Sequence, residues 1–348
     1  MTLSAVETTG TAPSGPITAS VPLDAAAYQR HALHADDRDW VEKNCYVDIW
    51  IEVLHAHGLD PMAVLPFTLA IDFEHDQWTF FKPPHVDLWQ LYGVDVQELT
   101  VWRPLIDHAV TQLGAGKLIS TEADAFFLPD TQGTDYKTQH TKTTIVLHKI
   151  DVAARRLGYF HNAGYYELGG DDFAGLFRLG LDPDPTFLPL YAEWIRVDRA
   201  RALDGATLRA RSRELLRRAM GLRPSTNPVA AFAARFGADI GQLQTEGLAR
   251  YHVWAFATIR QLGAAFELAA LYLRWLETDA PGPLAPAAEA FASISASAKT
   301  LILKAARAVN ARRTVDFQPL LAPAAEAWQR GMDVLASALV LDNPKPRP

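Results

Sequence analysis

The change in sequence pattern near residue 190 is the feature that most constrains the fold of this chain. Before it, strand patterns run through 117–128, 141–150 and 156–160, and apolar and polar residues alternate along the second of them. Beyond Tyr191, long Ala- and Leu-rich segments follow the helical period, at 203–220, 232–236, 243–276, 284–313 and 320–341. The sequence therefore predicts an α+β N-terminal half followed by an all-α C-terminal half.

The length of 348 residues favours two domains. Residues 1–21 are rich in Thr, Ser, Ala, Gly and Pro without periodicity, which is typical of a disordered lead. We therefore predict a domain at 22–190, with a sheet and a packed helix, and a helical domain at 191–342.

Charge and hydropathy exclude several functional classes. The chain carries 40 acidic against 33 basic residues, and this balance argues against general nucleic-acid binding. The N-terminus lacks a basic segment followed by an apolar run, and no apolar stretch is long enough to cross a membrane. We expect a cytoplasmic protein that has neither a membrane nor a nucleic acid as partner.

Cys45 is the only cysteine of the chain, which excludes an internal disulfide and a cysteine-rich zinc site. It lies where the polar segment 36–40 gives way to a helical pattern that ends at Gly58. In the first turn of a helix, unpaired backbone N–H groups and the helix dipole stabilise a thiolate. The sequence therefore makes Cys45 a candidate nucleophile, and the alternative is a small buried apolar residue.

A thiol nucleophile needs a base, and the base needs a group that orients it. His140 stands just before the strand 141–150, and Asn162 follows the strand 156–160. Antiparallel pairing of these strands would bring both residues to one end of the sheet, in a papain-like order of Cys, His and Asn. His161 competes with Asn162 for the orienting role, because adjacent strand residues face opposite sides.

A metal site is a further alternative. His140 and His161 could join Asp130, Asp135 or Cys45 in such a site, but no local pair has the usual ligand spacing. We expect neither a metal nor a resident cofactor.

Several blocks of the sequence resemble a bacterial family known only as a domain of unknown function. The blocks are the signature NCYVDxWIExLH from Asn44 to His55, the segment 70–84, the run 140–144 and the run 160–166. The resemblance extends from about Asp37 to Trp328.

A more distant similarity in layout is to the butirosin-biosynthesis acyltransferase family. The cysteine at a helix start, the following short helix and the aromatic strand at 78–81 carry it. The resemblance implies a papain-like N-terminal half, a helical C-terminal half, and transfer of an acyl group from a carrier-protein thioester to an amine. It also implies Cys45 as nucleophile, His140 as base and Asn162 as orienter.

Together these observations predict an acyltransferase or thioester-cleaving enzyme that acts in biosynthesis. Its expected partner is an acyl carrier protein or another acyl thioester, with the acyl group held on phosphopantetheine. We expect the backbone N–H of Cys45 and Asn44 to stabilise the oxyanion. His161, Arg260 and Gln261 are predicted substrate contacts. The alternatives are a non-catalytic protein that binds a carrier protein or small ligand, and a peptidase.

Overall fold

The computed structural model describes residues 15–181, 188–278 and 282–339. Its strands are β1 (Ile17–Thr18), β2 (Phe73–Glu74), β3 (Gln77–Trp78), β4 (Asp95–Glu98), β5 (Lys117–Asp124), β6 (Lys142–Asp151), β7 (Arg156–His161), β8 (Gly164–Gly169) and β9 (Ala192–Arg196). Its α-helices are α1 (Cys45–Ala56), α2 (His85–Tyr92), α3 (Leu105–Gly114), α4 (Asp171–Leu176), α5 (Gly205–Gly221), α6 (Pro228–Glu246), α7 (Leu248–Ala257), α8 (Ile259–Leu276), α9 (Ala285–Ala311) and α10 (Gln318–Ala338). The predicted α+β class and the helical C-terminal half are confirmed.

The described residues divide into two compact units. The sheet unit comprises those within Met1–Gln29 and Asp95–Arg199, and the helical unit those within Arg30–Val94 and Ala200–Pro348. This grouping differs from the predicted split near residue 190, since the segment 30–94, with α1, belongs with the C-terminal helices.

The sheet unit is built on one antiparallel sheet. Its strand order is β4-β9-β5-β6-β7-β8, and β1 pairs with β6 at Lys149 and Ile150. Helix α3 packs against β5 and β6, and residues such as Leu118, Leu147 and Tyr159 are buried. Residues 1–14 of the predicted disordered lead lie outside the described residues, whereas Ile17 and Thr18 form β1.

Strand β9 is inserted between β4 and β5 although it follows them by many residues in the chain. It pairs antiparallel with both, through Trp194 opposite Gln97 and opposite Ile119. The strand therefore completes the sheet unit only after residue 191, beyond the point where the sequence pattern loses its strand signal.

The helical unit surrounds a 3-10 helix, Pro61–Ala70, which packs against α5 and α8. The sequence predicts one continuous helix over 243–276, but the structure breaks this stretch into α6, α7 and α8. The first break is at Gly247, whose φ of 95° lies in the region that favours glycine. Among the described helices, none combines the length and apolar character needed to cross a membrane.

Candidate functional site

The residues predicted for the site are distributed over both units. His140, His161 and Asn162 belong to the sheet unit, and Asn44, Cys45, Arg260 and Gln261 to the helical unit. Within the sheet unit, His140 precedes the first residue of β6 and Asn162 follows the last residue of β7. Because β6 and β7 are antiparallel neighbours, both residues lie at the same end of the sheet.

His140 is an exposed imidazole held by a carboxylate. Its Nδ1 donates a hydrogen bond to Oδ2 of Asp124 at 2.6 Å, and its ring stacks on Phe126 with centroids 4.4 Å apart. The side chain of His140 is 70% exposed, so the ring can reach a substrate. With Nδ1 donating to Asp124, Nε2 of the neutral ring is an acceptor, as a general base requires.

Asp124 comes to this position through strand pairing. It is the last residue of β5 and lies opposite Lys142, two residues after His140. The carboxylate of Asp124 also accepts the backbone N–H of Phe126, which fixes its orientation. The structure therefore gives His140 an acidic orienting group.

His161 is buried in a second network. Its Nδ1 donates to Oδ2 of Asp130 at 2.5 Å, and its Nε2 accepts the hydroxyl hydrogen of Thr143, with 2.8 Å between the atoms. The hydroxyl of Tyr159 donates to the other oxygen of Asp130. Burial, followed by the charge of Asp130, raises the pKa of Tyr159 far above its usual value, so the phenol stays protonated.

His161 is only 1% exposed. Through its bonds to Asp130 and Thr143, this buried network attaches the loop that carries Asp130 to β6 and β7. It follows that His161 has polar partners of its own on both ring nitrogens. Its predicted role in substrate binding stays a prediction.

Asn162 begins the two-residue turn between β7 and β8, and its φ is 42°. This left-handed conformation is one that asparagine adopts more readily than most residues. The turn thus gives a backbone reason for asparagine at this position. Among the described residues, no hydrogen bond joins the Asn162 side chain to His140.

Cys45 is the first residue of α1 and is half-buried. Asn44 is the N-cap: its Oδ1 accepts the backbone N–H of Val47 at 2.9 Å, and its Nδ2 donates to the carbonyl of Phe81 at 3.0 Å. The asparagine of the signature therefore holds the helix start in place and ties it to the segment before α2. Its predicted contribution to an oxyanion site stays a prediction.

The acidic residues of the signature, Asp48 and Glu52, enclose His34. Nδ1 of His34 donates to Glu52, and its Nε2 donates to Asp48 at 3.0 Å. Burial alone would lower the pKa of His34, but the two carboxylates outweigh it, and the net pKa is raised. Since each nitrogen faces a carboxylate, the buried ring is an imidazolium.

Lys43 completes this buried cluster. Its backbone N–H donates to Asp48, and its ammonium group donates to the carbonyl of Leu33 and lies 3.9 Å from Glu267 of α8. Burial lowers the pKa of Lys43 and raises that of Glu267. The cluster connects the start of α1 to the segment before it and to α8, all within the helical unit.

Arg260 and Gln261 have partners within the helical unit. Arg260 donates to the backbone carbonyl of Glu42 at 2.8 Å, lies 3.4 Å from its carboxylate, and stacks over Phe256. Gln261 is buried and donates weakly to the carbonyl of Phe256. Their role in substrate binding stays a prediction.

No three His, Cys, Asp or Glu side chains form a metal-binding cluster within the part of the chain that the structure describes. The side-chain partners that sequence reasoning missed are Asp124 for His140, Thr143 for His161, and Asp48 and Glu52 for His34; Asp130 was considered only as a metal ligand. For Asp124, the signal available in the sequence was the pairing of its strand with the strand that follows His140. For His34 it was the i, i+4 spacing of Asp48 and Glu52, which places two carboxylates on one helix face.

Comparison with family models identifies the family of this chain. Residues 29–197 match the DUF1839 N-terminal domain, and residues 205–337 match the DUF1839 C-terminal domain. The chain therefore belongs to the DUF1839 family, a domain-of-unknown-function family. A search of curated proteins found no match.

Proposed function

We propose that this protein is an acyltransferase or thioester-cleaving enzyme in which Cys45 is the nucleophile and His140 the general base. The observation that carries the proposal is the exposed imidazole of His140, which the Asp124 carboxylate holds at 2.6 Å. A carboxylate on Nδ1 fixes the tautomer and stabilises the imidazolium that forms when the base accepts a proton. We therefore propose Asp124, rather than Asn162, as the orienting group.

The proposed reaction proceeds in two steps. His140 takes the thiol proton, the sulfur of Cys45 attacks the thioester carbonyl, and the leaving thiol receives the proton as the carbon–sulfur bond breaks. An amine, a hydroxyl or water then attacks the acyl-cysteine and gives its proton to His140, and that proton returns to the Cys45 sulfur as the acyl–sulfur bond breaks. The N–H at the start of α1, on Cys45, is the proposed oxyanion donor.

Two further observations support this chemistry. Cys45 begins a helix of 12 residues capped by Asn44, so it belongs to the first turn, whose backbone N–H groups have no acceptor within the helix. Asp124 is an acidic orienting group on Nδ1 of His140, and the backbone N–H of Phe126 fixes its carboxylate. The carrier-protein partner, the phosphopantetheine-bound acyl group and the cytoplasmic location are parts of the same proposal.

The test is covalent capture of the acyl group. The full-length protein is incubated with acetyl, octanoyl and benzoyl thioesters of pantetheine, and its intact mass and tryptic peptides are measured. We expect an acyl adduct on Cys45, none in Cys45→Ala, and turnover about 10²- to 10⁴-fold slower in His140→Gln and Asp124→Asn. His75→Gln, which changes an exposed histidine in a turn, is the matched control.

A second measurement does not require the right acyl group. Iodoacetamide labels a thiolate, so its rate with Cys45 at pH 7 should fall when His140 is replaced and should be unchanged in His75→Gln. Absence of any adduct, together with equal labelling rates in all variants, would refute the enzyme proposal and favour the non-catalytic binding protein.

A further inference from the structure

An open cavity of about 770 Å³ lies in the helical unit, beside the C-terminal end of α1. Much of its wall is apolar and comes from Leu33, Leu59, Pro61, Met62 and Leu271. This volume is within the range of small-molecule sites, which combine apolar walls with a few polar groups.

Two arginines give the cavity a positive edge. Nε of Arg38 donates to the carbonyl of Ala32 at 3.2 Å, which anchors the side chain and leaves its terminal nitrogens for other partners. Within the ranges that the structure describes, no carboxylate forms an ion pair with Arg38. Arg274 forms an ion pair at 2.8 Å with Glu289, whose side chain is 72% exposed, so solvent screens that pair.

The other polar groups of the cavity are fixed in place. Asp60 accepts the backbone N–H of Met62 and the indole N–H of Trp275, so its charge serves to position that indole. His31 accepts the N–H of Leu33 at Nδ1, and burial and the neighbouring His55 lower its pKa to about 4. Near neutral pH His31 is thus an uncharged donor through Nε2.

The family signature also includes residues on the side of α1 that faces the cavity. Glu52 accepts the backbone N–H of His31 at 3.0 Å, and His55, the last residue of the signature, lines the cavity with its ring 5.2 Å from that of His31. Of these two signature residues, one turn apart on α1, His55 therefore lines the cavity and Glu52 holds the backbone of His31, which also lines it.

We propose that this cavity binds a small amphipathic carboxylate, with its apolar body against Leu271 and Trp275 and its carboxylate on Arg38 and Arg274. The planar guanidinium fork matches a carboxylate in geometry, and the apolar walls select a hydrocarbon or aromatic body. This inference uses none of the residues of the proposed acyl transfer, so either can fail without the other.

The test is calorimetric titration of the full-length protein with octanoate and 3-phenylpropanoate. The matched neutral probes are octanamide and 3-phenylpropanamide, and octyl phosphate is the alternative anion. We expect the carboxylates to bind at least ten-fold more tightly than the amides, the value of one charge-assisted contact. Equal affinity for the amides, or tighter binding of octyl phosphate, would overturn the proposed ligand class.

Variants locate the site. Arg38→Gln and Arg274→Gln are each expected to weaken carboxylate binding by about ten-fold or more, and Leu271→Trp is expected to block it by filling the cavity. Arg330→Gln, at an exposed arginine of α10, is the control and should leave the affinity unchanged. Thermal unfolding of each variant shows that it is folded. Carboxylate affinity unaltered by all three cavity substitutions would refute the site.

Discussion

Replacing His34 with glutamine tests the buried cluster that underlies the family signature. The His34, Asp48 and Glu52 side chains have no exposed surface, and both ring nitrogens donate to carboxylates. Glutamine keeps one donor group but removes the positive charge. Both carboxylates would then be buried without the His34 cation, while Asp48 keeps the Lys43 backbone N–H and Glu52 keeps that of His31.

Removing one partner of a buried ion pair costs about 3–5 kcal/mol. Because glutamine and the backbone N–H groups retain some hydrogen bonds, we expect the free energy of unfolding to fall by about 3 kcal/mol at pH 6, the low end of that range.

The pH dependence has a definite sign. The pKa of His34 is raised in the folded protein, so its stabilisation is complete below its ordinary value of 6.5 and is lost as pH rises through the raised pKa. Above pH 6.5 the wild-type protein should lose up to about 1.4 kcal/mol per pH unit through this group. His31 has its effect below pH 6.5 instead. Because its pKa is lowered in the folded protein, the free energy of unfolding falls as pH drops from 6.5 toward 4.

The assay is urea unfolding between pH 5.5 and 8.5, with hydrogen exchange of the peptide that covers α1 as a local measure. We expect the stability difference between wild type and His34→Gln to be largest near pH 6 and to narrow at higher pH. His252→Gln, at an exposed ring of α7, is the control. A loss below about 1 kcal/mol at pH 6, or parallel pH curves for variant and wild type, would refute the reasoning.

Three further predictions follow from particular contacts. Asn44→Ala removes the cap of α1 and leaves the carbonyl of Phe81 without that donor, so chemical denaturation should show a loss of about 2–3 kcal/mol; an unchanged midpoint would contradict the capping role. Gly263→Ala places a Cβ against the indole of Trp40, and a melting curve should show a destabilisation of about 1–3 kcal/mol, whereas Gly237→Ala, in open space, should not destabilise. A fragment of residues 22–190 lacks β9 and the helices α5 and α8, which pack on 61–70, so limited proteolysis should digest it rapidly. A resistant, cooperatively unfolding fragment would show that the sheet needs no β9.

The sequence alone determined the type of most elements. The period of the apolar residues indicated β6, β7 and the C-terminal helices, and the polar approach to Cys45 indicated that Cys45 lies in the first turn of a helix, which the structure begins at that residue. Local signals of this kind are readable because a helix start or a strand depends on neighbours along the chain.

Only the tertiary structure decided the partners of the candidate residues. Asp124 reaches His140 through the register of β5 on β6, and His34 reaches Asp48 and Glu52 because the chain turns back onto α1. The placement of β9 between β4 and β5, and of the segment 30–94 with the C-terminal helices, likewise depends on contacts between distant parts of the chain. One sequence contains the residues of such contacts but not their pairing, since burial and register are properties of the whole packed chain.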